Sequence, residues 1–195
     1  MKLGHNPVVV MPVKSFATAK SRLSSILSPE ERALLMRYMA AKVISAAKPL
    51  QVFTVCDDPE VAEWASAQGT EISWTPGIGL NGAVQQTFQM LRQLGATRTV
   101  VVHADLPLIT DLTGMAFQTG IAIAPNRERD GTNVISLPAE VDFCFSYGKG
   151  SFTRHLAQAE SLGMPVHVFV EESLSFDLDT PEDYLALQAS GGLPW

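Results

Sequence analysis

Short apolar runs rich in β-branched residues recur along the chain, and they constrain its fold more than any other feature. PVVVMPV (7–13), QVFTVCD (51–57) and TRTVVVHAD (97–105) are short and continuous rather than alternating, the pattern of strands covered on both faces. EISWTP (71–76), IAIAP (121–125), TNVISL (132–137) and VHVFVE (166–171) extend the series. Between them lie segments of helical period. In LSPEERALLMRYMAAKVISAAKP (27–49) Ser28 serves as N-cap, Pro29 suits the first helical position and Glu31 completes a capping box. Leu34, Leu35, Tyr38, Met39 and Val43 form its apolar stripe, and Pro49 ends it. Further helices are predicted from Pro59 to about Gln68, over 81–95 with Val84, Phe88, Leu91 and Leu94 on one face, over 151–163, and from Thr180, where Thr180, Pro181 and Asp183 repeat the capping logic. Strands alternating with helices predict a three-layer α/β/α architecture around a mostly parallel, mixed sheet, with all 195 residues in a single domain.

Charge is distributed unevenly over that frame. The chain is acidic, with 20 Asp plus Glu against 14 Lys plus Arg and a net charge of −6. That balance argues against a nucleic-acid-binding surface, which needs a broad basic footprint. Yet Lys14, Lys20 and Arg22 crowd into MPVKSFATAKSRLS (11–24), just past the first strand. Three local cations in an acidic protein point to a small anion bound at one place. Cys56 and Cys144 lie in separate apolar segments without metal-type spacing, which reads as reduced core thiols in a cytoplasmic protein. The N-terminal apolar run is too short for a signal peptide or a membrane span.

In open α/β sheets ligands gather at the carboxyl ends of strands, and this selects a short list of segments. HADLP (103–107) delivers Asp105 where a central strand must turn; it reads as a turn cap or as a ligand for a hard cation. Asp177 and Asp179 in FDLDTPED (176–183) are spaced i, i+2, so an extended backbone sends both to one face, where they repel unless a cation joins them. Lys14, Lys20 and Arg22 would then hold phosphates beside Mg²⁺. The loop lacks a P-loop pattern, and Gly77, Gly79 and Gly82 do not fit the dinucleotide fingerprint. Their turn suits close approach of a base or ribose, or is a plain lead into a helix; Asn81 is assigned with the cations to the nucleotide. YGKGSFTRH (147–155) puts Gly148, Gly150 and Ser151 at a helix start whose free amides make an anion site, with Thr132 and Asn133 of RDGTN (129–133) opposite. His155 is either an assistant there or a packing residue.

Taken together, MPVKSFATAKSRLS with LSPEER, then GLNGA, HADLPL, APNRERDGTN, YGKGSFTRH and FDLDTPEDY, resemble the 2-phospho-L-lactate guanylyltransferase family of coenzyme F-420 biosynthesis, in order, from about residue 8 to 187. The resemblance implies a nucleotidyltransferase fold of the glycosyltransferase-A-like kind. It also implies transfer of GMP from GTP to 2-phospholactate, phosphoenolpyruvate or 3-phosphoglycerate with release of pyrophosphate, and a homodimer. It puts Mg²⁺ on Asp105, Asp177 and Asp179, which with Lys20 form the catalytic set, and the phosphoacid on Thr132, Gly148 and Ser151. A nucleotidyltransferase acting on a sugar phosphate or molybdopterin, and a non-catalytic nucleotide-binding module, are the alternatives.

Overall fold

The computed structural model describes residues 3, 4 and 6–193. In chain order its elements are β1 (Pro7–Pro12), α1 (Pro29–Ala46), β2 (Gln51–Cys56), α2 (Pro59–Ala67), β3 (Glu71–Trp74), α3 (Gly79–Gln93), β4 (Arg98–Val102), α4 (Thr113–Ala116), β5 (Ile121–Pro125), β6 (Thr132–Pro138), α5 (Ser151–Ser161), β7 (Val166–Val168), α6 (Glu172–Ser175) and α7 (Pro181–Ala189). Every strand expected from the apolar runs forms, although the last stops at Val168. α4 and α6, each of four residues, were not expected: neither is long enough to display a hydrophobic period.

The strands form one sheet in the order β3-β2-β1-β4-β6-β5-β7. Pairings are parallel except where β6 meets β4 and β5, so β6 alone runs against the rest. This reversal matters for function. It brings the first residues of β6, Thr132 and Asn133, to the sheet edge where the other strands end, and His103 N–H donates to Asn133 C=O there (2.9 Å).

The continuous apolar strands bury both faces. β1 sends Val9 and Met11 into one core with Leu35, Met39 and Val43 of α1, Val61 of α2 and Leu187 of α7. It sends Val8 and Val10 into a second core with Val84, Phe88 and Leu91 of α3 and Phe152 of α5. The α1 capping box forms as expected, with Glu31 N–H donating to Ser28 Oγ and Ser28 N–H to the Glu31 carboxylate. The stripe on α1 is one position off at its start: Leu34 is exposed, and Met36 and Ala40 are buried beside Leu35 and Met39. Cys56 is buried as expected, but Cys144 is exposed. Over residues 141–147 burial alternates, with Val141, Phe143, Phe145 and Tyr147 buried and Asp142 and Cys144 exposed.

Candidate active site

Between β1 and β4 the chain order of the sheet reverses, and at such a switch point the loops after the two strands diverge to leave a crevice. A cavity of about 340 Å³ lies there, lined by Lys14, Lys20 and Arg22 from the loop after β1, by His103 and Asp105 from the segment after β4, and by Asp179. A second, of about 370 Å³, adjoins it across Lys14, Ser15 and Leu80 and reaches Asp57, Thr75 and Gly79. The cation-bearing loop is anchored by Phe16 and Leu23, both fully buried. Phe16 packs edge-on against Trp64 (5.3 Å between centroids) and under the Arg37 guanidinium.

Lys20 reaches from this loop into the crevice, from a left-handed backbone at φ 50°. Its Nζ donates to Asp105 Oδ2 (2.6 Å) and to Asp179 Oδ1 (2.8 Å), and Arg22 donates to Asp179 Oδ2 (3.3 Å). Burial works against the charge on Lys20, but Asp105 and then Asp179 outweigh it and raise the pKa. Burial likewise works against Asp105, yet the charge and hydrogen bond of Lys20 hold its carboxyl below the usual range. His103 is kept neutral chiefly by burial. Lys14 is exposed at the cavity wall.

Asp177 is half-buried and flanks the same group. Leu178, fully buried, separates it from Asp179, and Leu178 N–H donates to Asp105 C=O (3.2 Å), tying this segment beside β4. Burial, then Asp105 and Asp179, push the Asp177 pKa up to about 6. Asp105 Oδ1 is buried without a hydrogen-bond partner. Among the described residues no three His, Cys, Asp or Glu stand close enough to hold an ion as they are; the ammonium of Lys20 takes the position between two of the carboxylates. Three carboxylates that feel one another's charge, one of them with an orphaned oxygen, nonetheless offer the donor type that a hard divalent cation takes.

The expected acceptor residues come together, but differently from expectation. Thr132 N–H donates to Ser151 Oγ (3.0 Å), and both residues are buried. Ser146 N–H donates to His155 Nε2 (2.9 Å), which leaves the ring proton on Nδ1 to donate to Thr132 Oγ1 (3.0 Å). Burial, then Arg154, lower the His155 pKa to about 4. His155 is therefore a neutral brace within this cluster. The idea of free amides at the start of α5 is corrected: Gly150 N–H donates to Asp130 Oδ1, Phe152 N–H to Asp130 C=O and Ser151 N–H to Gly148 C=O. Gly148 lies at φ +110° with open space where a Cβ would stand. Asn81 does not face either cavity with a free amide; it holds the Tyr147 backbone, accepting from its N–H at 2.7 Å.

His103 was not singled out in the sequence, although it lies within HADLP. This ring lines the first cavity and packs against Tyr147 (5.3 Å between centroids), joining the carboxylate cluster to the Gly148 loop. Asp130 and Arg154 were not singled out either; Arg154 donates to the Lys149 and Ser146 carbonyls (both 2.7 Å) and closes that loop. The only local signal was their position inside RDGTN and YGKGSFTRH.

A mixed α/β sheet with a crevice at its switch point is the architecture of solved nucleotidyltransferases. A solved nucleotidyl transferase from Methanothermobacter has the same fold, with a TM-score of 0.67 at 14% identity over 96% of this chain and 98% of its own. The chain belongs to the guanylyl transferase CofC-like family, whose profile matches residues 7–192. It is 37% identical over 185 residues to the phosphoenolpyruvate guanylyltransferase of Sphaerobacter thermophilus, covering 90% of this chain and 89% of that one. It is 30% identical over 182 residues to the 2-phospho-L-lactate guanylyltransferase of Methanocaldococcus vulcanius, covering 90% and 81%.

Proposed function

We propose that this enzyme joins GMP from GTP to a small phosphorylated three-carbon acid in coenzyme F-420 biosynthesis. The observation that carries the reading is the convergence of Lys14, Lys20 and Arg22 with Asp105 and Asp179 around one crevice. A phosphate oxygen of the acceptor attacks the α-phosphorus of GTP, the α–β bridging P–O bond breaks, and pyrophosphate leaves with that electron pair. The acceptor phosphate, with a second pKa of about 6, is largely dianionic at neutral pH. No general base is required, which suits a crevice whose histidine, His103, is buried and neutral.

The protein's task is to bring two polyanions into line and to offset their charge. Lys14 and Arg22, exposed at the cavity wall, suit the β- and γ-phosphates, and Lys20 suits the α-phosphate. The neighbouring cavity beside Thr75 and Gly79 suits the base. Asp105, Asp177 and Asp179 are proposed to hold Mg²⁺, which would neutralise the transferring and departing phosphates. Thr132, Gly148 and Ser151 are proposed for the acceptor. With the two hydroxyls engaged in internal hydrogen bonds, the open face at Gly148 is the part of that set best suited to direct contact. A cytoplasmic homodimer belongs to the same proposal, and one sheet with both faces covered supports a single domain. Among the described residues no helix is long and apolar enough to cross a membrane.

The test is pyrophosphate release from purified protein with Mg²⁺, each nucleoside triphosphate in turn, and phosphoenolpyruvate, 2-phospholactate or 3-phosphoglycerate. The higher identity to the phosphoenolpyruvate enzyme favours phosphoenolpyruvate as the first acceptor to try. Release that needs GTP and one of these acids supports the proposal. Release only with a sugar phosphate or molybdopterin, or with none of them, overturns the acceptor assignment.

A further inference from the structure

The first turn of α3 faces two ways. Gly79 and Leu80 line the cavity beside Lys14, and Gly79 adopts φ +65° to turn the chain into the helix. Asn81, the next residue, points to the other side. Its Oδ1 accepts from Tyr147 N–H (2.7 Å), and its Nδ2 donates to Tyr147 C=O (3.4 Å). One helical turn later Gln85 repeats the arrangement, donating to Phe143 C=O (3.0 Å) and accepting from Phe145 N–H (3.0 Å). Residues i and i+4 share a helix face. Two side-chain amides thus serve segment 143–147 in place of a neighbouring strand, and its inward rings pack into the core shared with α3. Gly148 directly follows the clamped residue.

We propose that Asn81 is a positioning residue that couples the nucleotide cleft to the acceptor loop, so that occupancy of the cleft orders Tyr147 and Gly148 for the acceptor. The inference rests on the nucleotide and acceptor assignments above. A group that fixes α3 at Gly79 and Leu80 also fixes Asn81, and through it the backbone that leads into Gly148. Coupling of this kind commonly changes affinity by 5–150-fold. Gln85 makes equivalent bonds at the end of the ladder away from the cleft, so its loss reports on packing alone.

The experiment compares wild type, Asn81→Ala, Asn81→Asp and Gln85→Ala by amide hydrogen exchange over 144–150, with and without GTP, and by steady-state kinetics. GTP is expected to slow exchange in this segment at least fivefold in wild type and Gln85→Ala, and to have no such effect in Asn81→Ala. The KM for phosphoenolpyruvate should rise about tenfold in Asn81→Ala, with the GTP KM within twofold of wild type. Asn81→Asp, which keeps an acceptor for Tyr147 N–H, should recover most of the loss. Equal rises in both KM values, equal effects of Asn81→Ala and Gln85→Ala, or no effect of GTP on exchange in wild type would overturn the coupling. If GTP protects the loop through Asn81 but no phosphoacid is guanylylated, the coupling stands and the acceptor assignment fails.

Discussion

Lys20 Nζ lies 2.6 Å from Asp105 Oδ2, joining residues 85 positions apart and locking the first loop to the end of β4. Only 7% of the Lys20 side chain and 21% of the Asp105 side chain are exposed, so little water is at hand to replace either partner. Lys20→Met should therefore destabilise the fold by about 3 kcal/mol at pH 7, the usual cost of leaving one member of a buried pair alone. Asp105 has a depressed pKa in the folded protein, so its stabilising effect is present above the unfolded value and is lost as pH falls through the folded one. The gap between wild type and Lys20→Met in urea unfolding should accordingly close in acid. Adding Asp105→Asn to Lys20→Met should recover part of the loss at pH 7; a double variant no better than the single would mean that the pair is not what holds the loop.

The sheet was legible in the sequence because seven apolar runs each fit a strand, and the alternation with capped helices leaves few other architectures. The direction of β6 was not legible, and it carries Thr132 to the site edge. Asp105 and the three cations were readable from their place after strands, and Asp179 from its i, i+2 spacing with Asp177. Which of them touch was not, because Lys20 reaches Asp105 across 85 positions and Asp179 across 159. Asn81 was misjudged and His155 left open for a related reason: Asn81 binds the Tyr147 backbone 66 positions away, and His155 is braced between Ser146 N–H and Thr132 Oγ1, contacts that no spacing in the sequence specifies.

Asp177 offers a direct reading of the carboxylate cluster. With its folded pKa raised to about 6, its charge costs stability above that pH, and the cost disappears as pH falls below the unfolded value of about 4. Asp177→Asn should stabilise the metal-free protein by about 1–2 kcal/mol at pH 8, after allowing for its partial exposure. It should have no such effect near pH 4. Mg²⁺ should raise the melting temperature of wild type and do so less for the variant. A variant that gains nothing at pH 8, or that responds to Mg²⁺ as wild type does, would remove Asp177 from the cluster.

His155 should produce the opposite slope over nearly the same range. Its folded pKa of about 4 lies below the ordinary 6.5, so the unfolded chain binds a proton first as pH falls. Stability is fully present above about 6.5 and is lost between there and 4, by at most about 3 kcal/mol. Asp177 gains stability in that window, so wild type should show a shallow profile in which the two offset. His155→Gln should remove the acid-side loss, and Asp177→Asn should steepen it. Parallel pH profiles for all three proteins would contradict both assignments.

Asp183 closes the account of how Asp179 is held. Its Oδ2 accepts from Asp179 N–H (3.1 Å), Thr180 N–H (2.8 Å) and the Thr180 hydroxyl (2.9 Å), and its Oδ1 pairs with Arg127. One carboxylate thus caps α7 and fixes the backbone that presents Asp179 to Lys20. Capping and positioning separate by variant. Thr180→Ala removes the cap hydroxyl that accepts from Asp183 N–H but leaves Asp183 its bond to Asp179. It should cost about 1 kcal/mol of stability and leave kcat near wild type. Asp183→Ala should cost at least as much stability and also lower kcat about tenfold, because Asp179 is no longer fixed from behind, with little change in the acceptor KM. Urea unfolding and pyrophosphate release on the same preparations provide both readings. Unchanged kcat in Asp183→Ala would mean that Lys20 and Arg22 alone suffice to orient Asp179, and that Asp183 serves the helix cap only.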